Sequence, residues 1–129
     1  MLTECKPVIL LPTLDRDRSR AFYRDVLGLT FKSEDDFAIV FETAGIMLRI
    51  TPVREFAPHE FSVLSWEVDD VAAQVTDLAS RGVVFEKYDF PWMVQDELNI
   101  WTAPDGTKLA WFKDPDSNLL AIVQHAPQG

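Results

Sequence analysis

In the sequence of apolar and polar residues at 107–113, Leu109, Trp111 and Lys113 alternate with Lys108, Ala110 and Phe112, and a short apolar run fills residues 119–123. The intervening DPDSN segment has turn residues, since proline presets φ and the first aspartate can accept hydrogen bonds from backbone amides further along. The pattern therefore predicts a strand, a tight turn and a second strand. An isolated hairpin is only marginally stable, so the rest of the chain must cover it.

The first half of the chain predicts the element order β-α-β-β-β. Asp15 is a suitable N-cap for a helix that runs to about Leu27, because Phe22 and Val26 are spaced for one helix face and Gly28 suits a left-handed C-terminal position. Apolar runs predict strands on either side of this helix, at residues 7–13, 29–33, 37–42 and 46–51.

The second half repeats this order with one strand more. Asp69 or Asp70 can cap a helix over residues 71–80, and Gly82 can end it. Strands are predicted at residues 61–68, 83–90, 98–102, 107–113 and 119–124. The predicted fold class is α+β, with two βαβββ modules that form curved mixed sheets around a cleft and one extra hairpin strand in the second module. The proline-containing residues 52–60 predict a boundary within a single domain, with modules at about 1–55 and 56–129.

Composition narrows the possible functions. The 129 residues include 12 basic and 21 acidic side chains, for a net charge of −9, which argues against nucleic acid and anionic membranes as partners. Met1 to Pro12 lacks the features of a secretory signal and no segment is long and apolar enough to span a membrane, so we expect a cytoplasmic protein. Cys5 is the only cysteine and is expected to be a peripheral thiol.

Three segments resemble the vicinal oxygen chelate superfamily, the fold of glyoxalase I, extradiol dioxygenases and bleomycin-resistance proteins. DRDRSRAFYRDVLGL resembles its first helix, VDDVAAQVTDLASRGV its second strand-to-helix passage, and FKDPDSNLLAIV its C-terminal strand-turn-strand signature. Ser117 stands where the superfamily usually has glycine, which predicts a different backbone conformation in that turn. The resemblance implies the fold and leaves the reaction open.

In the metal-dependent members of this superfamily, four ligands come from the first and last strands of each module. The matching positions here are Val8, Arg49, Val63 and Ala121. Aliphatic side chains have no donor atom, and a guanidinium cannot accept. The resemblance therefore points to the metal-free members, with no metal or other cofactor, and it implies a homodimer.

Alternation along the strands predicts which residues line the cleft. The predicted face is mostly apolar with a few polar points, as in small-molecule sites, and comprises Val8, Leu10, Pro12, Met47, Arg49, Thr51, Val63, Ser65, Glu67, Leu119, Ala121 and Val123. Arg49 is the leading candidate, either for an anionic ligand group or for an internal ion pair with Glu67. Ser65, Met47 and Trp111 complete the predicted ligand-binding residues.

The other aromatic and histidine residues receive structural interpretations. Trp92 and Trp101 are expected mainly in packing, with residues 89–97 as a possible flap, and Trp66 is expected against a helix. His59 and His125 lie at no recognisable catalytic spacing and are interpreted as surface residues.

The leading hypothesis is a metal-free protein that binds or sequesters a small, partly apolar molecule. An anionic group on that molecule would suit Arg49. The alternatives are a superfamily enzyme (a lyase, isomerase or dioxygenase) with displaced ligands such as Glu67, Glu42 or His59, and a metal-free enzyme with Glu67 as a buried general base. A purely structural role also stays open.

Overall fold

A computed structural model describes residues 1–127 and divides the chain into two compact units, Met1–Pro58 and one that begins at His59. Each unit contains a four-stranded mixed sheet and one α-helix. The elements of the first unit are β1 (Val8–Thr13), α1 (Arg16–Ala21), β2 (Thr30–Glu34), β3 (Ile39–Thr43) and β4 (Ile46–Pro52). Those of the second are β5 (Leu64–Glu67), α2 (Val71–Ser80), β6 (Trp101–Thr102), β7 (Lys108–Lys113) and β8 (Leu119–Gln124).

The two sheets have the same arrangement of strands. Their orders are β1-β4-β3-β2 and β5-β8-β7-β6, and in each the first strand runs parallel to its neighbour while the other pairings are antiparallel. The predicted α+β class and the repeated βαβββ order are therefore confirmed. A short 3₁₀ helix, Leu2–Glu4, precedes the first sheet.

In the first unit, α1 begins where the sequence predicts. The Asp15 carboxylate accepts a hydrogen bond from the Arg18 amide at 3.2 Å, and the helix continues beyond Ala21 as a π-helical turn, Phe22–Val26. Tyr23 from this turn is fully buried, and its ring lies 6.0 Å from that of Phe41 on β3. The helix therefore covers the face of the sheet that carries Phe41, and the face that carries Arg49 lies opposite.

In the second unit, α2 begins and ends at the predicted residues. Asp70 caps it by accepting from the Ala73 amide at 3.1 Å, and Val71, Val75 and Leu78 are buried along one side. The helix packs against β7 and β8, whose Phe112 and Leu120 are fully buried. Because successive side chains of a strand alternate between faces, Trp111 lies on the face opposite Phe112.

The extra strand predicted for the second unit is wrong. Residues 83–90 pair with the sheet only through an isolated bridge between Phe85 and Phe112. Further along, side-chain amides replace a strand ladder: Gln95 donates to the Glu86 carbonyl at 3.0 Å and accepts from the Tyr88 amide at 2.7 Å. The Asn99 amide donates to the Phe85 carbonyl at 3.1 Å. The side chains of Gln95 and Asn99 therefore satisfy backbone hydrogen-bonding groups that a neighbouring strand would otherwise satisfy.

The turn between β7 and β8 has the predicted position. The Asp114 carboxylate accepts from the amides of Asp116 and Asn118, both at 2.9 Å. Ser117 adopts a φ of 67°, in the left-handed region that glycine favours. A non-glycine residue therefore still provides a left-handed conformation in this turn.

Candidate binding site

Five aromatic side chains form a closed circuit of ring contacts in the second unit. They are contributed by the 86–100 loop, by β6 and by β7, and are Tyr88, Phe90, Trp92, Trp101 and Trp111. We call this set the aromatic circuit. Phe90 and Trp92 are 48% and 65% exposed, whereas the other three rings are partly buried. A large exposed aromatic surface of this kind is unusual on a folded domain and is typical of recognition sites.

An extended backbone explains why three of the rings stack. Residues two apart in an extended segment point to the same side and are separated by about 6.6 Å, so Tyr88, Phe90 and Trp92 lie in a row. Tyr88 and Phe90 have ring centroids 5.7 Å apart and planes inclined by 15°. Phe90 and Trp92 are 5.5 Å apart at 8°.

The sheet supplies the other two rings. In the ladder between β6 and β7, Trp101 pairs with Leu109, which places Trp111 two residues further along β7 on the same face. The Trp101 and Trp111 rings are 6.2 Å apart. Edge-to-face contacts close the circuit, from Trp101 to Trp92 at 5.6 Å and from Trp111 to Tyr88 at 5.5 Å.

Gln95 and Asn99 hold the loop that carries the stacked rings. The Gln95 amide bonds three backbone groups, because it also donates to the Asn99 carbonyl at 2.9 Å. Asn99 has a left-handed φ of 63°, and the Asp96 carboxylate accepts from the Leu98 and Ile100 amides at 2.9 Å. The buried side chains of Met93 and Ile100 anchor this loop in the core, so the rings are supported by a structured segment.

Within the aromatic circuit, Tyr88 is partly buried and lies near the negative charge of Glu86. Burial, with a smaller contribution from the Glu86 carboxylate, raises the pKa of Tyr88 above its ordinary value. The Glu86 amide donates to the Trp111 carbonyl at 2.7 Å, and its carboxylate lies 3.2 Å from the Lys113 ammonium. The Glu86 carboxylate therefore acts on the Tyr88 phenol, while the Glu86 backbone pairs with that of Trp111.

Three of the predicted ligand-binding residues lie on this face of the second sheet. Ser65 pairs with Ala121, which in turn pairs with Trp111, so these three residues form one row across the strands. Glu67 lies on the neighbouring row, beside Val123. The face predicted by alternation is thus found in the second unit, and Trp111 contacts the rings of Tyr88 and Trp101 there.

Glu67 lacks the burial that the general-base hypothesis requires. Its side chain is 70% exposed and lies 3.4 Å from Nδ1 of His125, which is itself 55% exposed. The burial on which that hypothesis depended is absent. His125 is a surface residue, as expected, and so is His59, whose ring stacks on Phe61 at 4.8 Å.

Met47 and Arg49 lie on the open face of the first sheet. The register places Val8 beside Met47 and Leu10 beside Arg49, as alternation predicts. Ten residues, with Met47 among them, line a cavity of about 400 Å³, within the usual range for small-molecule pockets. The lining residues are Lys6, Pro7, Val8, Lys32, Ser33, Val40, Phe41, Glu42, Gly45 and Met47.

Arg49 is partly exposed and makes none of the ion pairs found among residues 1–127. Its positive charge contributes to lowering the pKa of Asp35, after the Phe37 and Ala38 amides. Glu42, one of the proposed displaced metal ligands, lies 3.9 Å from the Lys32 ammonium. Within the described part of the chain, no three His, Cys, Asp or Glu side chains are grouped as metal ligands would be.

Comparison with known proteins identifies the fold. The model of the family described as "Bleomycin resistance protein-like N-terminal" matches residues 9–43. A bleomycin-binding protein solved in complex with bleomycin is 24% identical, with a TM-score of 0.70 over 94% of this chain and 98% of that one. The chain has the fold of the vicinal oxygen chelate superfamily.

Other structures with the vicinal oxygen chelate fold include both binding proteins and enzymes. An antibiotic binding protein from Streptomyces sp. CB03234 is 22% identical, with a TM-score of 0.64 over 95% of this chain and 98% of that one. A lactoylglutathione lyase from Agrobacterium tumefaciens is 20% identical, with a TM-score of 0.67 over 94% and 93%. No curated protein sequence matches the chain significantly.

Strand alternation predicts the face of β7 on which Trp111 lies, but it does not predict the loop side of the circuit. The apolar pattern predicts a regular strand over residues 83–90, which includes Tyr88 and Phe90, and no sequence signal predicts the hydrogen bonds of the Gln95 and Asn99 side chains. The available signal was the spacing of Tyr88, Phe90 and Trp92 at every second residue, which places three rings on one side of any extended segment. The hydrogen bonds of Gln95 had no comparable signal, because its partners lie up to nine residues away.

Proposed function

We propose that this protein binds or sequesters a flat, partly apolar small molecule on the aromatic circuit. The observation that carries the proposal is the exposure of Trp92 and Phe90, whose parallel rings end a supported stack. A planar ligand can extend such a stack, and each ring pair adds free energy beyond that of area burial. The binding proteins among the structural neighbours support the same class of function.

Two features support binding over catalysis at this face. The face of the second sheet that carries Trp111 is mostly apolar, with Ser65 and Glu67 as polar points, which suits orientation of a bound molecule. Glu67 is highly exposed, so it lacks the environment that gives a carboxylate strong basicity. The cavity at Met47 is a second place in the chain where a small molecule could bind.

A homodimer belongs to the same proposal. On the first sheet, Val8, Leu10 and Met47 are 48%, 66% and 43% exposed, and they are adjacent in the register. Contiguous apolar side chains on a sheet face favour association, and a symmetric dimer is the commonest outcome for a single chain.

Acridone, a neutral planar molecule, provides a test of ligand binding, with quenching of tryptophan fluorescence and calorimetry as readouts. We expect saturable binding of one molecule per chain, and Trp92→Ala should weaken it roughly fivefold, since a ring pair contributes about 1 kcal/mol. Phe37→Ala is the control, because Phe37 is 73% exposed in the first unit and lies outside the circuit. Equal affinities of the wild type and Trp92→Ala for acridone would refute binding at this site.

A further inference from the structure

The negative charge of the chain is concentrated in the unit that carries the aromatic circuit. Residues 59–129 include twelve acidic and four basic side chains, whereas residues 1–58 include nine and eight. The net charge is thus −8 in the second unit and −1 in the first. A field of this kind attracts cations to the second unit and repels anions from it.

The segment that presents the stacked rings has the same bias. Residues 86–97 contain Glu86, Asp89, Asp96 and Glu97 against Lys87. Asp89, Asp96 and Glu97 are exposed, and Glu86 is partly exposed, with its carboxylate acting on Tyr88 and its amide bonded to the Trp111 carbonyl. Lys113, the basic residue nearest to Glu86, is already paired with it. The unbalanced charges around the rings are therefore negative.

The ring faces are also free of the protein's own cations. Among residues 1–127, each ring of the circuit is contacted by other rings, and no lysine or arginine is found over any of them. The face of an aromatic ring carries a negative quadrupole and attracts a cation placed over it, most strongly at tryptophan. Trp92, the most exposed ring of the five, leaves such a face open to solvent.

From these observations we infer that the ligand of the aromatic circuit is a planar organic cation, such as a protonated or quaternary nitrogen heterocycle. The inference rests on the proposed function, since it names the charge class of the molecule bound at that site. The rings provide stacking and cation–π attraction, and the surrounding carboxylates provide the longer-range field. The anionic group that Arg49 suggested concerns a residue of the first unit.

The test compares two tricyclic probes of nearly equal shape and opposite charge, 10-methylacridinium and acridine-9-carboxylate. We expect the cation to bind on the order of tenfold more tightly than the anion in low salt. The ratio should shrink between about 10 mM and about 1 M salt, because the screening length falls from about 30 Å to about 3 Å.

A matched pair of variants locates the effect. Glu86→Gln removes a carboxylate beside the rings and frees Lys113, whereas Asp77→Asn removes a carboxylate on α2 and frees Arg81, which lies 3.4 Å away. Helix α2 packs on the other face of the sheet. Glu86→Gln should weaken 10-methylacridinium binding severalfold, and Asp77→Asn should change it less than twofold at matched salt.

The outcomes separate the two proposals. If acridone binds in a Trp92-dependent manner but 10-methylacridinium binds no more tightly than acridine-9-carboxylate, the cation is refuted and small-molecule binding stands. If none of the three probes depends on Trp92, both proposals are refuted. A preference for the cation that Glu86→Gln and Asp77→Asn reduce equally would mean that net charge alone produces it, which would also refute a cation site at the rings.

Discussion

Buried Asp114 shows how one side chain specifies the turn between β7 and β8. Its Oδ1 accepts from two backbone amides, and its Oδ2 accepts from the Asn118 side-chain amide at 2.8 Å. Asp114 and Asn118 are only 5% and 4% exposed. The sequence predicted both the turn and the accepting role of Asp114. An aspartate carboxylate can accept from nearby backbone amides, and the proline that follows it presets φ for a turn. It did not predict the burial, which depends on neighbouring chain segments.

Replacing Asp114 with alanine should destabilise the protein by about 2–3 kcal/mol, because buried amide donors would lose their acceptors. Asp105→Ala is a matched control: Asp105 accepts from the Thr107 amide at 2.9 Å, but it is exposed, so water can replace it. We expect a loss below about 1 kcal/mol there. Urea unfolding of both variants measures the difference, and equal losses would contradict the importance of burial.

The loop between α2 and β6 shows how side chains can override an apparent strand pattern. Val83 and Phe85 are buried and Val84 is exposed, as in a strand, yet the segment pairs with the sheet only at Phe85. The Gln95 amide then takes the place of a neighbouring strand. Strand prediction succeeded for β7 and β8, two largely apolar segments of six residues on either side of a turn. It failed here because partner strands cannot be read from local pattern.

Gln95→Ala should loosen the aromatic circuit without unfolding the protein. Three backbone groups would lose their partner, so Tyr88, Phe90 and Trp92 would no longer be held in line. We expect a smaller near-UV circular dichroism signal and acridone affinity reduced by about as much as in Trp92→Ala, roughly fivefold. The control is Gln74→Ala on α2, whose side chain is exposed. An unchanged near-UV spectrum in Gln95→Ala would show that the rings hold themselves in place.

At the scale of the whole molecule, charge and stability are linked through a few carboxylates. Glu34 accepts from Arg20 at 2.7 Å and from Arg16 at 3.2 Å, and mainly the Arg20 hydrogen bond lowers its pKa. Hydrogen bonds from backbone amides lower the pKa of Asp35 and of Asp105 in the same direction. A carboxyl with a lowered pKa in the folded state stabilises the fold above its unfolded pKa, and this contribution is lost as the pH falls through the folded pKa.

Glu34→Gln should therefore destabilise the protein at pH 7 by more than it does near pH 3. The variant removes the negative charge, and one of the two acceptor oxygens, that bind two arginines linking α1 to β2. Acidification removes the same charge from the wild type. Urea unfolding of wild type and variant at pH 7 and near pH 3 measures this difference. Charge repulsion common to both proteins cancels when their free energies of unfolding are subtracted at each pH. Glu60→Gln serves as the control, because Glu60 is exposed and takes part in no ion pair within residues 1–127. A Glu34→Gln effect that is independent of pH would contradict the linkage.

The structure also reports on the possibility of membrane insertion. Within residues 1–127, no helix has the length and apolar character required to cross a bilayer. Helix α2 has ten residues and one buried side, which is the pattern of a helix that covers a sheet.

Local sequence determined the elements of this protein, and tertiary structure determined its candidate site. Caps at Asp15 and Asp70 and the DPDSN turn are short-range devices, so their effects can be read from neighbouring residues. Alternation likewise showed that Trp111 lies opposite Phe112. The aromatic circuit depends on Tyr88, Trp101 and Trp111 meeting from three separate segments, with Gln95 holding one of them. Such contacts join residues far apart in the chain, and only the folded arrangement of strands and loop brings them together.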